Sequence, residues 1–369
     1  MTDYLNWPHG TERHAVDVAL AARRHGMTVR IQTCYYQNEL SAWHGKLTDA
    51  GIFVDSPLGP RLKRFKGSSL LNQYAVNRTI RAINQSGASI LWSPDGSRLL
   101  CRVMSEKQKN WPPFFAHEAN AWFPGTPYYP EEWPQTILGL TGLSTHGMLQ
   151  SKRALQNFPE MEGRIASVWP SSEMPDDLKS EGSELGRPIR FGQFGRLVTA
   201  KGHFLAIAAL KRTLVLGGDV ELHIFGDGID RNHLLELVRA LDVEDRVFFH
   251  GQYLPDDVGH LINGIDVGLV SSIHEGFGLV MLEMMSRSKP VISTEVGSAR
   301  EVLEGLGGGW VVPIADTEAM AQAMLSCCRD RTSTLQKGQE ARAVWQQHFT
   351  PEAMFSRYLD FWEKCGARL

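Results

Sequence analysis

The chain predicts an α/β protein built from two Rossmann-like domains, and three observations in its 369 residues carry that expectation. After residue 185, short β-branched or aromatic runs alternate with longer segments of helical period, the pattern of parallel βαβ units. The preceding half repeats the alternation less regularly. Between them, residues 170–187 (PSSEMPDDLKSEGSELGR) are rich in Ser, Pro, Gly and charge, the composition of a linker. The length itself suits two domains of ordinary size, each with its own core.

In chain order, the first half predicts a helix over 11–25, a strand over 28–33, and later strands near Ile90, Phe114, Ile137 and Ile165. The second half predicts strands over 189–194, 221–225, 246–249, 266–270, 290–293 and 310–312, each followed by Gly, Asp or Ser and then a helix-like stretch. Six such units would form a doubly wound sheet. A last helix over 351–365 carries Phe355, Tyr358, Leu359 and Trp362 at helical spacing, so it must pack on an apolar surface. The expected division is 1–172 joined by the terminal segment 351–369, a linker at 173–187, and 188–350.

Composition narrows the function classes. A hydrophobic fraction of 43%, a charged fraction of 21% and a net charge of −3 describe a folded globular chain without the excess of cations that nucleic-acid binding uses. One local run is basic: RLKRFK, with Arg61, Lys63, Arg64 and Lys66, would suit weak contact with an anionic membrane surface. A solvated face is the commoner reading of such a run. Five cysteines (Cys34, Cys101, Cys327, Cys328, Cys365) form no C-x-x-C pair and no metal-ligand spacing, which fits a reducing compartment. No secretory pattern opens the chain, and no apolar run is long enough to span a bilayer. The expected location is cytoplasmic, peripheral at the inner membrane face if the basic run meets lipid.

The stretch with most chemistry is 272–283 (SIHEGFGLVMLE), where a Glu and two glycines follow a buried strand and precede an amphipathic helix. Small molecules bind beyond the carboxyl ends of strands in open α/β sheets, and a glycine turn lets amides reach an anion at a helix start. Gly276, Phe277, Gly278 and Leu279 would supply those amides. Glu275 in the turn and Glu283 inside the helix would address hydroxyls of one ligand, although a helix-surface Glu283 and an N-cap Glu275 fit equally. A second strand–turn–helix stretch, GRLVTAKG (195–202), adds Arg196 and Lys201. A guanidinium and an ammonium side by side suit a diphosphate.

These motifs, followed by HIFGDG, FFHG, KPVISTEVGSAREV and GWVVPIAD in the same order, resemble the retaining glycosyltransferases of the GT-B fold called family 4, from about Asn6 to the C-terminus. The resemblance implies two Rossmann-like domains facing across a cleft, the second holding a nucleotide-diphosphate sugar, UDP- or GDP-linked. It implies that Arg196 and Lys201 bind the diphosphate, Glu275 touches the transferred sugar and Glu283 holds the ribose. Gly10, in the turn Pro8-His9-Gly10-Thr11, would approach the phosphate and sugar, and His117 would line the reaction centre. On spacing alone, His117 reads as a satisfied core histidine.

The implied reaction is hexosyl transfer with retention to a glycan, lipid-linked or small-molecule hydroxyl, with no cofactor. No Asp-x-Asp motif is present, so the cations rather than a metal would stabilise the leaving group. Aromatic residues Trp111, Trp122, Phe123, Tyr128 and Tyr129 could stack on an acceptor sugar or simply pack a loop. The stretch MTDYLN reads as a shortened first strand, with reduced stability or reduced activity expected. Ser298 stands where the family usually has a second glycine. Alternatives at this point are a nucleotide-sugar-binding protein without turnover, or an epimerase or phosphorylase of the same fold.

Overall fold

The computed structural model describes residues 2–4, 10–35, 43–55, 69–94, 98–107, 110–118, 132–173, 187–254 and 257–368. The chain divides into two compact units, one formed by Met1–Ser171 with Pro351–Leu369 and the other by Ser172–Thr350.

The first unit runs β1 (Thr2–Tyr4), α1 (Gly10–Arg24), β2 (Arg30–Tyr35), α2 (His44–Asp49), β3 (Phe53–Asp55), α3 (Ser69–Ser86), β4 (Leu91–Ser93), α4 (Arg98–Ser105), β5 (Phe114–Glu118), α5 (Trp133–Gly139), β6 (Gly142–Thr145), α6 (Met148–Asn157) and β7 (Ile165–Ser167). Its described strands form two parallel sheets, ordered β1-β2-β3 and β4-β5-β6-β7. The short β1 does pair, with Thr2 opposite Thr33 and Tyr4 opposite Tyr35. A strand at Ile137 is not found: Ile137 lies in α5, which has Pro134 in its first turn, and the strand is β6, which begins at Gly142. Proline in a first helical turn lacks only an N–H that would be unpaired there anyway, so WPQTILG starts a helix readily.

The second unit runs β8 (Ile189–Phe194), α7 (His203–Val215), β9 (Val220–Phe225), α8 (Arg231–Ala240), β10 (Val247–Gly251), α9 (Val258–Asn263), β11 (Val267–Val270), α10 (Leu279–Ser286), β12 (Val291–Thr294), a π-helix (Arg300–Leu306), β13 (Gly309–Val312), α11 (Thr317–Arg329) and α12 (Arg331–His348). All six strands are parallel in the order β10-β9-β8-β11-β12-β13. Both faces are covered, which is why Val267, Gly268, Leu269 and Val270 are all buried instead of alternating.

On one face α7 presses Ala206, Ile207, Ala209 and Leu210 against Met320, Ala321 and Met324 of α11. Each fully buried Leu or Ile there contributes roughly 1.5–3 kcal/mol. Asp316 and Asp330 start α11 and α12 by accepting hydrogen bonds from Ala319 N and Ser333 N at 2.8 and 2.9 Å, a cap of about 1 kcal/mol each.

The final helix α13 (Pro351–Lys364) belongs to the first unit. Met354, Phe355, Tyr358, Phe361 and Trp362 are buried with Val18, Ala21 and Ala22 of α1 and Phe115 of β5, and Leu359 packs at the edge. The apolar stripe legible in the sequence is thus the face that closes this core.

Gly202 controls the second unit locally. It is left-handed (φ +61°), and a Cβ there would sit 2.0 Å from the Ser271 carbonyl oxygen. Gly202→Ala should therefore cost about 1–3 kcal/mol, since neither the backbone conformation nor the facing carbonyl can yield cheaply. Urea unfolding is the check, and an unchanged midpoint would refute the contact.

Candidate functional site

In the order β10-β9-β8-β11-β12-β13 the connections reverse direction between β8 and β11. Crevices form at such a reversal, outside the carboxyl ends of the two strands. The two glycine turns picked out in the sequence leave from these ends: 195–202 follows β8 and 271–278 follows β11.

Three groups fasten the turns together. The Gln193 side-chain amide donates to Lys201 O at 2.9 Å and to Ser271 Oγ at 2.8 Å. Ser271 Oγ donates to Gly202 O at 2.8 Å. Ile273 N donates to Ala200 O at 2.9 Å. A polar Gln193 inside the strand run IRFGQF was visible in the sequence, and a buried polar residue in a strand asks for such a partner.

The result is a direct ion pair. Lys201 Nζ donates to Glu275 Oε1 at 2.6 Å, and Ser272 Oγ donates to the same oxygen at 2.7 Å. Glu275 is therefore not an N-cap; Gly278, left-handed at φ +95°, caps α10. Gly276, Phe277 and Gly278 form the turn, with Phe277 buried, and Leu279 opens the helix. The turn rests on Gly297 (φ +53°), where a Cβ would meet Phe277 O at 2.8 Å. Ser298 beside it is buried.

Helix α10 is not amphipathic, because every residue from Met281 to Ser286 is buried. Glu283 is among them, 8% exposed, which removes the helix-surface reading. Arg196 is exposed, and among the described residues its guanidinium has no hydrogen-bond or ion-pair partner. The structure thus joins Lys201 to Glu275 directly, places Arg196 on the same turn as Lys201, and sets Glu283 one helical turn inside α10.

A cavity of about 260 Å³ adjoins the ends of β9 and β10, lined by Phe225, His250, Gly251, Tyr253, His260 and Leu261 among others. Phe194, Phe225 and His250 stack with successive centroid separations of 4.3 and 4.3 Å. Sequence reasoning missed this cavity, for which only the aromatic character of FFHGQY was a hint.

In the first unit, Gly10 begins α1, while Pro8 and His9 lie outside the described residues, as do Arg61, Lys63, Arg64, Lys66, Trp122, Phe123, Tyr128 and Tyr129. Trp111 is a core residue whose Nε1 donates to Asn84 Oδ1 at 2.6 Å, so it is not presented for stacking. His117 on β5 has no exposed surface. Its Nδ1 lies 2.9 Å from Ser144 Oγ and 2.9 Å from the Tyr358 hydroxyl, and its Nε2 lies 3.2 Å from His146 Nδ1. His14 Nε2 is 2.7 Å from the same Tyr358 hydroxyl. His14, His146 and Tyr358 come from α1, the end of β6 and α13, a convergence that no local pattern announces.

Burial holds the His14 imidazole down to about 3. His117 and His146 are lowered well below the ordinary value, by burial first and then by their neighbouring imidazoles. Burial likewise raises the Tyr358 phenol well above its usual range. All four are neutral near pH 7. Among the described residues no group of three or more His, Cys, Asp or Glu is disposed to hold a metal ion, and no helix is long and apolar enough to cross a membrane.

Comparison with known proteins bears on the second unit. Residues 176–344 match the family of the glycosyl transferases group 1. N-acetyl-alpha-D-glucosaminyl L-malate synthase of Bacillus anthracis is 34% identical over 140 residues, 38% of this chain and 36% of that protein. The lipopolysaccharide core biosynthesis glycosyltransferase LpsE of Rhizobium meliloti is 32% identical over 165 residues, 45% and 47% of the two chains. The chain thus spans less than half the length of these relatives.

Across the whole chain, the crystal structure of Anabaena HepE in complex with UDP and glucose matches with a TM-score of 0.77 at 18% identity, covering 98% of each. The lipopolysaccharide outer core galactosyltransferase WaaB matches at 0.76 and 17%, covering 98% and 97%. The fold is the two-domain α/β class called GT-B, as the sequence motifs implied.

The buried imidazoles make stability depend on pH. Their folded-state values lie below the ordinary 6.5, so the unfolded chain binds more protons as pH falls below that point. Their stabilisation is complete above about pH 6.5 and is lost progressively on acidification, for His14 down to about 3. The melting midpoint should fall from pH 7.5 to 5.5, and His14→Gln should flatten the slope by up to about 1.4 kcal/mol per pH unit, one proton's share. Calorimetry against pH checks both, and an unaltered slope in the variant would contradict the burial of His14.

Proposed function

We propose that this chain transfers a hexosyl group from a UDP-linked sugar to a hydroxyl acceptor, with retention of anomeric configuration and without a metal ion, as a member of the retaining family 4. The observation that carries this reading is the 2.6 Å contact between Lys201 and Glu275 at the β8/β11 reversal. It sets a cation suited to a diphosphate against a carboxylate suited to sugar hydroxyls, at the place where open α/β sheets bind ligands.

In this reading Arg196 and Lys201 take the diphosphate oxygens and stabilise the charge that develops as the glycosidic bond breaks. The first-turn amides of α10, from Gly278 onward, add the positive end of a helix. Glu275 accepts hydrogen bonds from the sugar hydroxyls, held in place by Ser272, while Glu283 holds the ribose. The cavity beside Phe225, His250 and Tyr253 is broad enough for a pyrimidine base against a stacked floor. HepE is described in complex with UDP and glucose, which favours UDP over GDP here. The acceptor class follows the relatives, whose names include lipopolysaccharide core, amylovoran and colanic acid biosynthesis, so a growing cell-surface glycan on a cytoplasmic, membrane-peripheral face is proposed.

Retention follows from attack on the donor's own face, with the departing phosphate taking the acceptor proton. Glu275, engaged by Lys201 and Ser272, is read as an acceptor for sugar hydroxyls and not as a covalent nucleophile.

Glu275→Gln should fold normally and lose roughly 10²–10³-fold in turnover, the usual loss when a charged group aimed at the transition state is removed. Unchanged kinetics would remove Glu275 from the site. UDP should raise the melting temperature more than GDP or ADP, since a ligand that binds only the folded form stabilises it. Equal shifts would leave the base unread by the cavity. EDTA should leave transfer intact, and loss of activity restored by a divalent ion would overturn the metal-free mechanism.

A further inference from the structure

Across strands β8, β9 and β10 of the second unit, Arg190, Glu221, His223 and His250 form one line. Arg190 Nε donates to Glu221 Oε2 at 3.3 Å, His223 Nε2 lies 3.2 Å from the same oxygen, and His223 Nδ1 lies 3.0 Å from His250 Nε2. Arg190 stands opposite Glu221 and Phe248 opposite His223, so alternation along the strands puts all four side chains on one side of the sheet.

The proton order is set from the Glu221 end. A carboxylate paired with a guanidinium accepts hydrogen bonds and has none to give, so His223 carries its proton on Nε2. Burial keeps the His223 imidazole below its ordinary value although Glu221 pulls the other way, and burial and then His223 lower that of His250. Both rings are therefore neutral at pH 7.5, with one N–H each. His223 accepts at Nδ1, and His250 must be the donor, from Nε2. That leaves the His250 Nδ1 a bare acceptor, without a hydrogen-bond partner among the described residues.

His250 is also where the line reaches open space. It is exposed on the wall of the cavity of about 260 Å³, with one ring face laid on Phe225 at 4.3 Å. Asp257 and His260 are the other titratable groups lining that cavity, and the Asp257 carboxylate accepts from Leu254 N at 3.2 Å.

We infer that His250 is the residue that selects the base, as a neutral acceptor at Nδ1 for a base N–H, and that Glu221 and His223 are positioning residues that hold it in that tautomer. For its ligand the inference rests on the proposed UDP reading. Uracil presents an N–H at N3, where cytosine, of nearly the same shape, presents a bare nitrogen to the His250 lone pair. Turning His250 into a donor at Nδ1 would make His223 donate from Nδ1 as well, and would set the bare His223 Nε2 against the Glu221 carboxylate. The line thus disfavours the wrong base as well as favouring the right one.

Long-range ¹H–¹⁵N spectra of the ¹⁵N-histidine-labelled full chain at pH 7.5 read the tautomers, with His223→Phe and His250→Phe assigning the two signals by their loss. The expected result is Nε2–H on both. UDP should move the bare His250 Nδ1 signal upfield, as a lone pair does on accepting a hydrogen bond, and CDP should bind about tenfold more weakly, the scale of one hydrogen bond. His250→Phe keeps an aromatic ring against Phe225 and should lose the preference for UDP over CDP. Glu221→Leu should leave His250 in place, turn the His223 signal into a mixture of tautomers and narrow the UDP/CDP ratio. An Nδ1–H on His250, an unmoved Nδ1 signal in a UDP complex, or a preference that survives in His250→Phe would each overturn the inference while leaving the proposed function standing. A parent protein that binds no nucleoside diphosphate would sink both.

Discussion

The approach of Gly202 to the carbonyl of Ser271 is the contact on which the geometry of the second unit turns. Strands β8 and β11 are neighbours in the sheet although two βα units separate them in sequence, and the helices that follow them pack on the sheet by way of the turns that carry the chemistry. Only a residue without a Cβ, in the left-handed region, lets the 195–202 turn lie against residue 271. Gln193 and Ser271 then pair the backbone groups that this closeness buries. Lys201 meets Glu275 because the two backbones touch at Gly202 and Ser271, one residue beyond Lys201 and four before Glu275.

The ion pair that results is half-open to solvent, with 29% of the Lys201 side chain and 13% of the Glu275 side chain exposed. Pairs of this kind contribute about 0–1 kcal/mol, so the contact is not what holds the turns together; the Gln193 and Ser271 bonds do that. Its weakness suits the proposed reaction. An entering diphosphate carries more charge than one carboxylate and can share Lys201 at little cost, while Ser272 keeps Glu275 in place.

Legibility differed between the two units for a physical reason. In the second, the central strands are buried on both faces and glycine stands in the turns after β8 and β11, so strand, turn and motif coincide in short windows: β8 falls on 189–194 as the pattern required, and the other five strands differ from the expected bounds by one or two residues at their ends. In the first, Ile137 looked like a strand because Thr-Ile-Leu is as apolar as β6 itself, and only the proline ahead of it marks a helix. Strands of three residues such as β3 and β4 are too short to alternate, and β3 escaped notice altogether. Single charged residues beside glycine turns were legible; the meeting of His14, His146 and Tyr358 was not, because it depends on packing between elements more than 300 residues apart in sequence at the extremes.

The two units handle polarity in opposite ways. At the β8/β11 reversal, full charges stand in a solvated turn, where they are stable without complete desolvation and can answer a diphosphate. In the first unit the polar groups are imidazoles and a phenol enclosed by Trp92, Phe115 and Trp362, an environment that would penalise any charge heavily. Burial suppresses protonation there, so the imidazoles remain neutral donors and acceptors near pH 7. The apolar face of α13 that builds this enclosure also brings the Tyr358 hydroxyl to His14 and His117.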